Sequence, residues 1–274
     1  MSFKYGIKFE KTIENLFMKL FYLAAFFMII SCNGNSQEKE IKKEKSENID
    51  HSIQKYINKN TYDTVKSISI GTVSNGTLKN GKLVPYKGLN YNYFDSISYI
   101  NDRAFLNEKV LNTTLQTYDE LYRLVPTEHF TIMECSNKNG GKIYPHKTHQ
   151  NGLSIDFMTP LLKDGKAYYN LDSLGGQHYL LDFDNQGFYS KDKSIQINFD
   201  LIALHLITLH KNASKNNVKI SKVILKIELK DELFNSKYGE ELRSTGIYFA
   251  QSLSPLINQL HDDHYHVDFE IINY

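Results

Sequence analysis

The clearest hydrophobic pattern lies near the end of the chain. Tyr265, Val267, Phe269 and Ile271 alternate with His264, His266, Asp268 and Glu270, which predicts a strand over His264–Ile271 with one apolar and one polar face. Leu153–Met158 has the same period, with Leu153, Ile155 and Phe157 opposite Ser154 and Asp156. Shorter apolar runs predict strands over Ile68–Val73, Phe130–Cys135 and Val223–Leu229, and Asn75-Gly76 and Asn80-Gly81 read as turns. Helical spacing appears over Val110–Leu124, ending near Val125-Pro126, and over Asp200–Lys215. Helices interspersed with alternating, half-exposed strands predict an α+β fold, a small antiparallel sheet with flanking helices.

The N-terminal pattern is different. Met18-Lys19 precedes an apolar run from Leu20 to Ile30, then Ser31-Cys32-Asn33. Such a run spans about 16 Å of helix, half a bilayer core, which suits the middle of a signal peptide and is too short for a membrane span. Ile29-Ile30-Ser31-Cys32 resembles the lipobox of bacterial lipoproteins, and that resemblance implies lipidation of Cys32 after removal of residues 1–31. Residues 1–17 precede a typical signal start at Met18, as a mis-assigned start codon would produce. The polar stretch after Cys32 is too poor in apolar residues to order itself, so 32–65 is expected to be a flexible tether and 66–274 the folded domain.

Composition adds mostly exclusions. A hydrophobic fraction of 41%, including many aromatics, supplies a core, and a net charge of +1 gives no reason to expect a nucleic-acid partner. With Cys32 lipidated, Cys135 has no disulfide partner and is expected to pack as a small apolar residue.

Candidate chemistry concentrates in two blocks, PHKTHQNGLSIDF at Pro145–Phe157 and HDDHYHVDF at His261–Phe269. In a strand His264 and His266 share a face, and Asp156 lies on the polar face of its own strand with His149 seven residues before it. Were those strands neighbours, His149, Asp156 and His266 would converge as two imidazoles and a carboxylate, leaving the fourth tetrahedral position of Zn2+ open. The pair Asp262-Asp263, taken alone, reads as a solvated turn.

His-x6-Asp followed far downstream by His-x-His resembles the LAS metallopeptidases, the group of lysostaphin-type endopeptidases and D-Ala-D-Ala carboxypeptidases. The match is closest to the penicillin-insensitive murein endopeptidases. Their His-x-x-His-Gln-x-Gly-Leu-x-x-Asp block is similar to His146, His149, Gln150, Gly152, Leu153 and Asp156, and their His-x-x-His-x-His to His261, His264 and His266. Ser69, Gly71 and Gly76 are similar to the family's Ser-x-Gly-x-x-x-x-Gly opening. The resemblance implies a zinc site of His149, Asp156 and His266 on the sheet, His264 as general base, and His261 stabilising the oxyanion. It leaves His146 to support this metal or a second one, since no counterpart of further ligands stands between Asp172 and Asp200. It also implies hydrolysis of peptidoglycan cross-links between D-Ala and a diamino acid, by a lipoprotein anchored in a membrane and facing the periplasm or cell surface. The alternative is a non-catalytic zinc-binding lipoprotein, which explains the histidines but not the carboxylate at this spacing.

Overall fold

The computed structural model describes residues 49–60 and 64–272; the export signal, Cys32 and the first part of the tether lie outside them. Residues 49–274 form one compact unit. Its first element corrects the expected tether, which was to run to residue 65. Residues 49–59 form helix α1, with Ile53 buried and Ile49, Tyr56 and Ile57 packed against the core. These four positions recur at helical spacing, so the stretch buries an apolar stripe despite its charged neighbours.

Strands β1 (Ile68–Thr72) and β2 (Asn75–Lys79) form a hairpin that turns at Val73-Ser74, so Asn75-Gly76 opens the second strand instead of making the turn. The central sheet contains β3 (Tyr91–Tyr93), β4 (Phe130–Ile132), β5 (Ser154–Met158), β6 (Val218–Ile224) and β7 (His264–Ile271), in the order β6-β7-β5-β4-β3. The fold is α+β as expected. The sheet is antiparallel except that β3 pairs parallel with β4.

Helices α2 (Glu108–Leu124) and α3 (Phe199–Lys215) start on Asn107 and Asn198, whose side chains accept backbone N–H groups. They pack on each other; α3 sets His205 against Phe157 and Tyr265 on the apolar face of β5 and β7, and α2 sets Tyr118 against Tyr91 and Phe130 of β3 and β4. The strand expected over Phe130–Cys135 ends at Ile132, and both boundaries of the strand expected over Val223–Leu229 moved. Strand β6 begins at Val218, its apolar positions interrupted by Lys219 and Lys222, and the chain has turned into a 3₁₀ helix by Ile227–Leu229.

Strands β5 and β7 are not half-exposed, although β6 is. Ser154, Asp156, His264, His266 and Asp268, on the polar face of β5 and β7, are all buried, and so are Asp262 and Asp263 of the expected solvated turn. A sheet face this polar can be buried only if its groups pair with one another or bind a ligand.

Candidate metal centre

Register brings the two histidine blocks together. Strands β5 and β7 pair so that His266 lies directly opposite Asp156, and His264 opposite Met158. His266 Nδ1 lies 2.8 Å from Asp156 Oδ1. The loop before β5 delivers the other imidazoles. His149 has a φ of 64°, a left-handed conformation that costs a non-glycine residue about 1–2 kcal/mol, and its Nε2 sits 3.2 Å from the same Asp156 oxygen. Gly152, at φ 77°, completes the turn; a Cβ there would come within 2.7 Å of the Asn107 backbone nitrogen.

The β1–β2 hairpin braces this loop. Gln150 N donates to Val73 O, and Gly141 N to both Gly76 O and Gln150 O. Asn107 donates to Ser69 Oγ, so the Ser69, Gly71 and Gly76 segment sits beside the loop it steadies.

Around Asp156, then, stand His146, His149, His264 and His266. His146, His149 and Asp156 each offer a ligand atom within 4.8 Å of the others, a group that can hold a metal ion. His266 stands on the Oδ1 side with His149, while His146 Nδ1 is 3.6 Å from Oδ2. The outer nitrogens of both flanking imidazoles meet carboxylates: Asp268 Oδ1 at 2.7 Å from His266 Nε2, and Glu134 Oε2 at 2.7 Å from His146 Nε2. Metal-bound histidines are oriented by outer carboxylates of this kind.

The donors fit a cation. Neither ring nitrogen of His149 has a hydrogen-bond partner among the described residues, nor does Asp156 Oδ2, although all three atoms are buried. The approach of His149 to Asp156 is close in distance but misaligned for hydrogen bonding, as it is when two ligands point at a shared centre.

The electrostatics agree. Burial alone would raise the Asp156 carboxyl, yet His149, with His266 and His264, outweighs it and holds Asp156 well below the usual range. Burial lowers His149. It also pulls on His266, but Asp268 and Asp156 prevail and hold that imidazole up at about 10. Asp268 itself resists the upward pull of burial because His266 and Lys222 flank it, and it is further bonded by Ser154.

His264 meets Asp263 Oδ1 at 2.5 Å through Nδ1, leaving Nε2 turned toward Asp156 Oδ2, 4.0 Å away. Burial pushes this pair in opposite directions, His264 down to about 4 and Asp263 up to about 8, so each resists charging alone. His261 Nδ1 donates to Ile257 O at 2.6 Å, and its ring is 4.8 Å from that of His264. A carbonyl only accepts, so in neutral His261 the hydrogen is on Nδ1 and Nε2 carries the lone pair, which argues against the oxyanion role that the resemblance implies.

Several residues of the centre escaped the sequence reading. Glu134 follows β4, paired to β5 through Met133 N to Asp156 O and Asp156 N to Glu134 O, and it accepts from Ser98 and Arg103 as well as facing His146. The Arg103 guanidinium already neutralises Glu134, which disfavours a second cation on that side. Tyr179, at the end of the 3₁₀ segment Asp172–Leu180, packs its ring 5.1 Å from that of His264. No family model matches the chain, and no curated protein matches it either. The likeness to murein endopeptidases therefore rests on the two histidine blocks and the glycine hairpin.

Proposed function

We propose that this chain is a zinc-dependent peptidase that hydrolyses peptide cross-links of bacterial peptidoglycan, exported and held by a lipid on Cys32. The observation that carries the reading is the cluster of His149, Asp156 and His266, in which both nitrogens of His149 and Asp156 Oδ2 are buried and unpartnered among the described residues, beside a histidine backed by a carboxylate. The lipid anchor and the wall substrate rest on the sequence resemblances alone. Among the described residues no helix is long and apolar enough to cross a membrane.

His149 Nε2, Asp156 Oδ1 and His266 Nδ1 would hold the ion. His266 is preferred to His146 as third ligand because it shares Asp156 Oδ1 with His149. Zinc held there supplies Lewis acidity, polarising a carbonyl and easing loss of a proton from water. The chain's own residues do the rest. Asp263, held up at about 8, ionises as pH rises toward that value, and His264 Nδ1–H then donates to it and leaves Nε2 free to accept a proton. As the water oxygen bonds to the scissile carbonyl carbon, its proton passes to His264 Nε2. When the C–N bond breaks, that proton passes to the leaving amine, giving an acid and an amine from one peptide bond and one water. Asp268 fixes the His266 tautomer, and the strained His149 backbone keeps its imidazole on the carboxylate.

The test is digestion of purified cross-linked muropeptides by the purified protein, with and without a chelator, alongside metal analysis. We expect bound zinc and release of uncross-linked muropeptides that stops on chelation and resumes with added zinc. Zinc bound without any peptide cleavage would leave a storage or delivery role in its place.

A further inference from the structure

A peptide carbonyl oxygen gains negative charge as it is attacked, and a donor must meet it. The histidine that the resemblance offers for this task, His261, has given its hydrogen to Ile257 O. Arg103 spends its terminal nitrogens on Glu134 and the Tyr144 carbonyl. Buried donors left without a hydrogen-bond partner among the described residues include Arg103 Nε and the Tyr179 hydroxyl, and of these two Tyr179 is the one whose ring lies against His264.

Its placement suits that task. The Tyr179 ring stands edge-on to His264 at 5.1 Å and to His146 at 6.2 Å, and its third aromatic neighbour is Phe94 at 5.8 Å. Its ring is therefore a neighbour both of the base and of the imidazole on the Asp156 Oδ2 side. The segment that carries it is anchored at two points: Gly176 N donates to Asp95 Oδ2, and His178 Nε2 is 3.0 Å from Asp263 O. Were packing its only role, phenylalanine would fill the same space without leaving a buried hydroxyl unsatisfied. Burial pushes the phenol well above its ordinary range, with Asp156 and Glu134 adding to the effect, so it keeps its proton at neutral pH.

Resting on the peptidase reading above, we infer that the Tyr179 hydroxyl is the catalytic donor to the carbonyl oxygen of the scissile peptide. The bond is made only as charge develops, so it acts on turnover and not on ground-state binding.

The experiment compares the wild-type protein with Tyr179→Phe, which keeps the ring against Phe94 and His264. Muropeptide hydrolysis is measured with zinc content, thermal stability, and affinity for a phosphinic analogue of the D-alanyl–diaminoacyl bond. The expected result is a kcat lower by about 10²–10³-fold with KM and zinc unchanged, and phosphinate affinity weakened by a similar factor. Unchanged kcat and phosphinate affinity overturn the inference, as does equal weakening of substrate and phosphinate, which marks a packing role. Failure of the wild-type protein to cleave any muropeptide overturns the peptidase reading itself, and this inference with it.

Discussion

Two buried histidines flank the same pair of strands with opposite consequences. Behind the sheet, His205 of α3 sits among the rings of Phe157, Tyr118 and Phe130 and bonds to the Tyr265 hydroxyl at 2.9 Å. No carboxylate faces it, and burial pulls it down to about 3. In front, His266 is as deeply buried but stands between Asp156 and Asp268, which hold it up at about 10. Burial makes the first histidine inert. Carboxylates make the second one usable, since a site that stabilises a proton between anions also stabilises a cation.

The largest break in this contrast is His266→Ala. It should abolish zinc binding and hydrolysis together, whereas His146→Ala should retain zinc; metal analysis of the two purified variants decides which imidazole is the ligand. Next comes His264→Ala, expected to keep zinc while turnover falls by about 10²–10⁴-fold, the usual contribution of a general base. Steady-state kinetics on muropeptides would show unchanged turnover if His264 had no such role.

The smallest effect concerns the back of the sheet. His205 titrates at about 3 when folded against an ordinary 6.5, so the unfolded chain takes up the proton first. Stability linked to neutral His205 is full above the unfolded value and is lost as pH falls toward the folded one, at up to about 1.4 kcal/mol per pH unit. His205→Phe should flatten the acid side of the stability curve by about one proton while leaving zinc binding intact. Urea unfolding of both proteins in chelator, between about pH 6 and 4, tests this; parallel slopes would show that His205 charges freely in the fold.

Much of the front face was legible because strand alternation and histidine spacing are local. The span His264–Ile271 and the shared face of His264 and His266 follow from period two alone. The missing parts are those that depend on distant pairing. Glu134 lies in an apolar run with no pattern of its own, and only the pairing of Met133 and Glu134 with Asp156 brings it to His146. Tyr179 arrives on an irregular 3₁₀ segment without periodicity, and the parallel pairing of β3 with β4 joins segments that no short motif connects. Helix α1 was readable from Ile49, Ile53, Tyr56 and Ile57, but the charged stretch before it obscured the stripe.

Because Asp156 and His266 face each other across β5 and β7, the centre is spelled out by strand register between residues 110 apart. A slip of one position would exchange His266 for Tyr265 or Val267 and turn the imidazole to the wrong side of the sheet. On the proposed activity, the centre is therefore complete only once the strand His264–Ile271 has docked beside β5 in the right register.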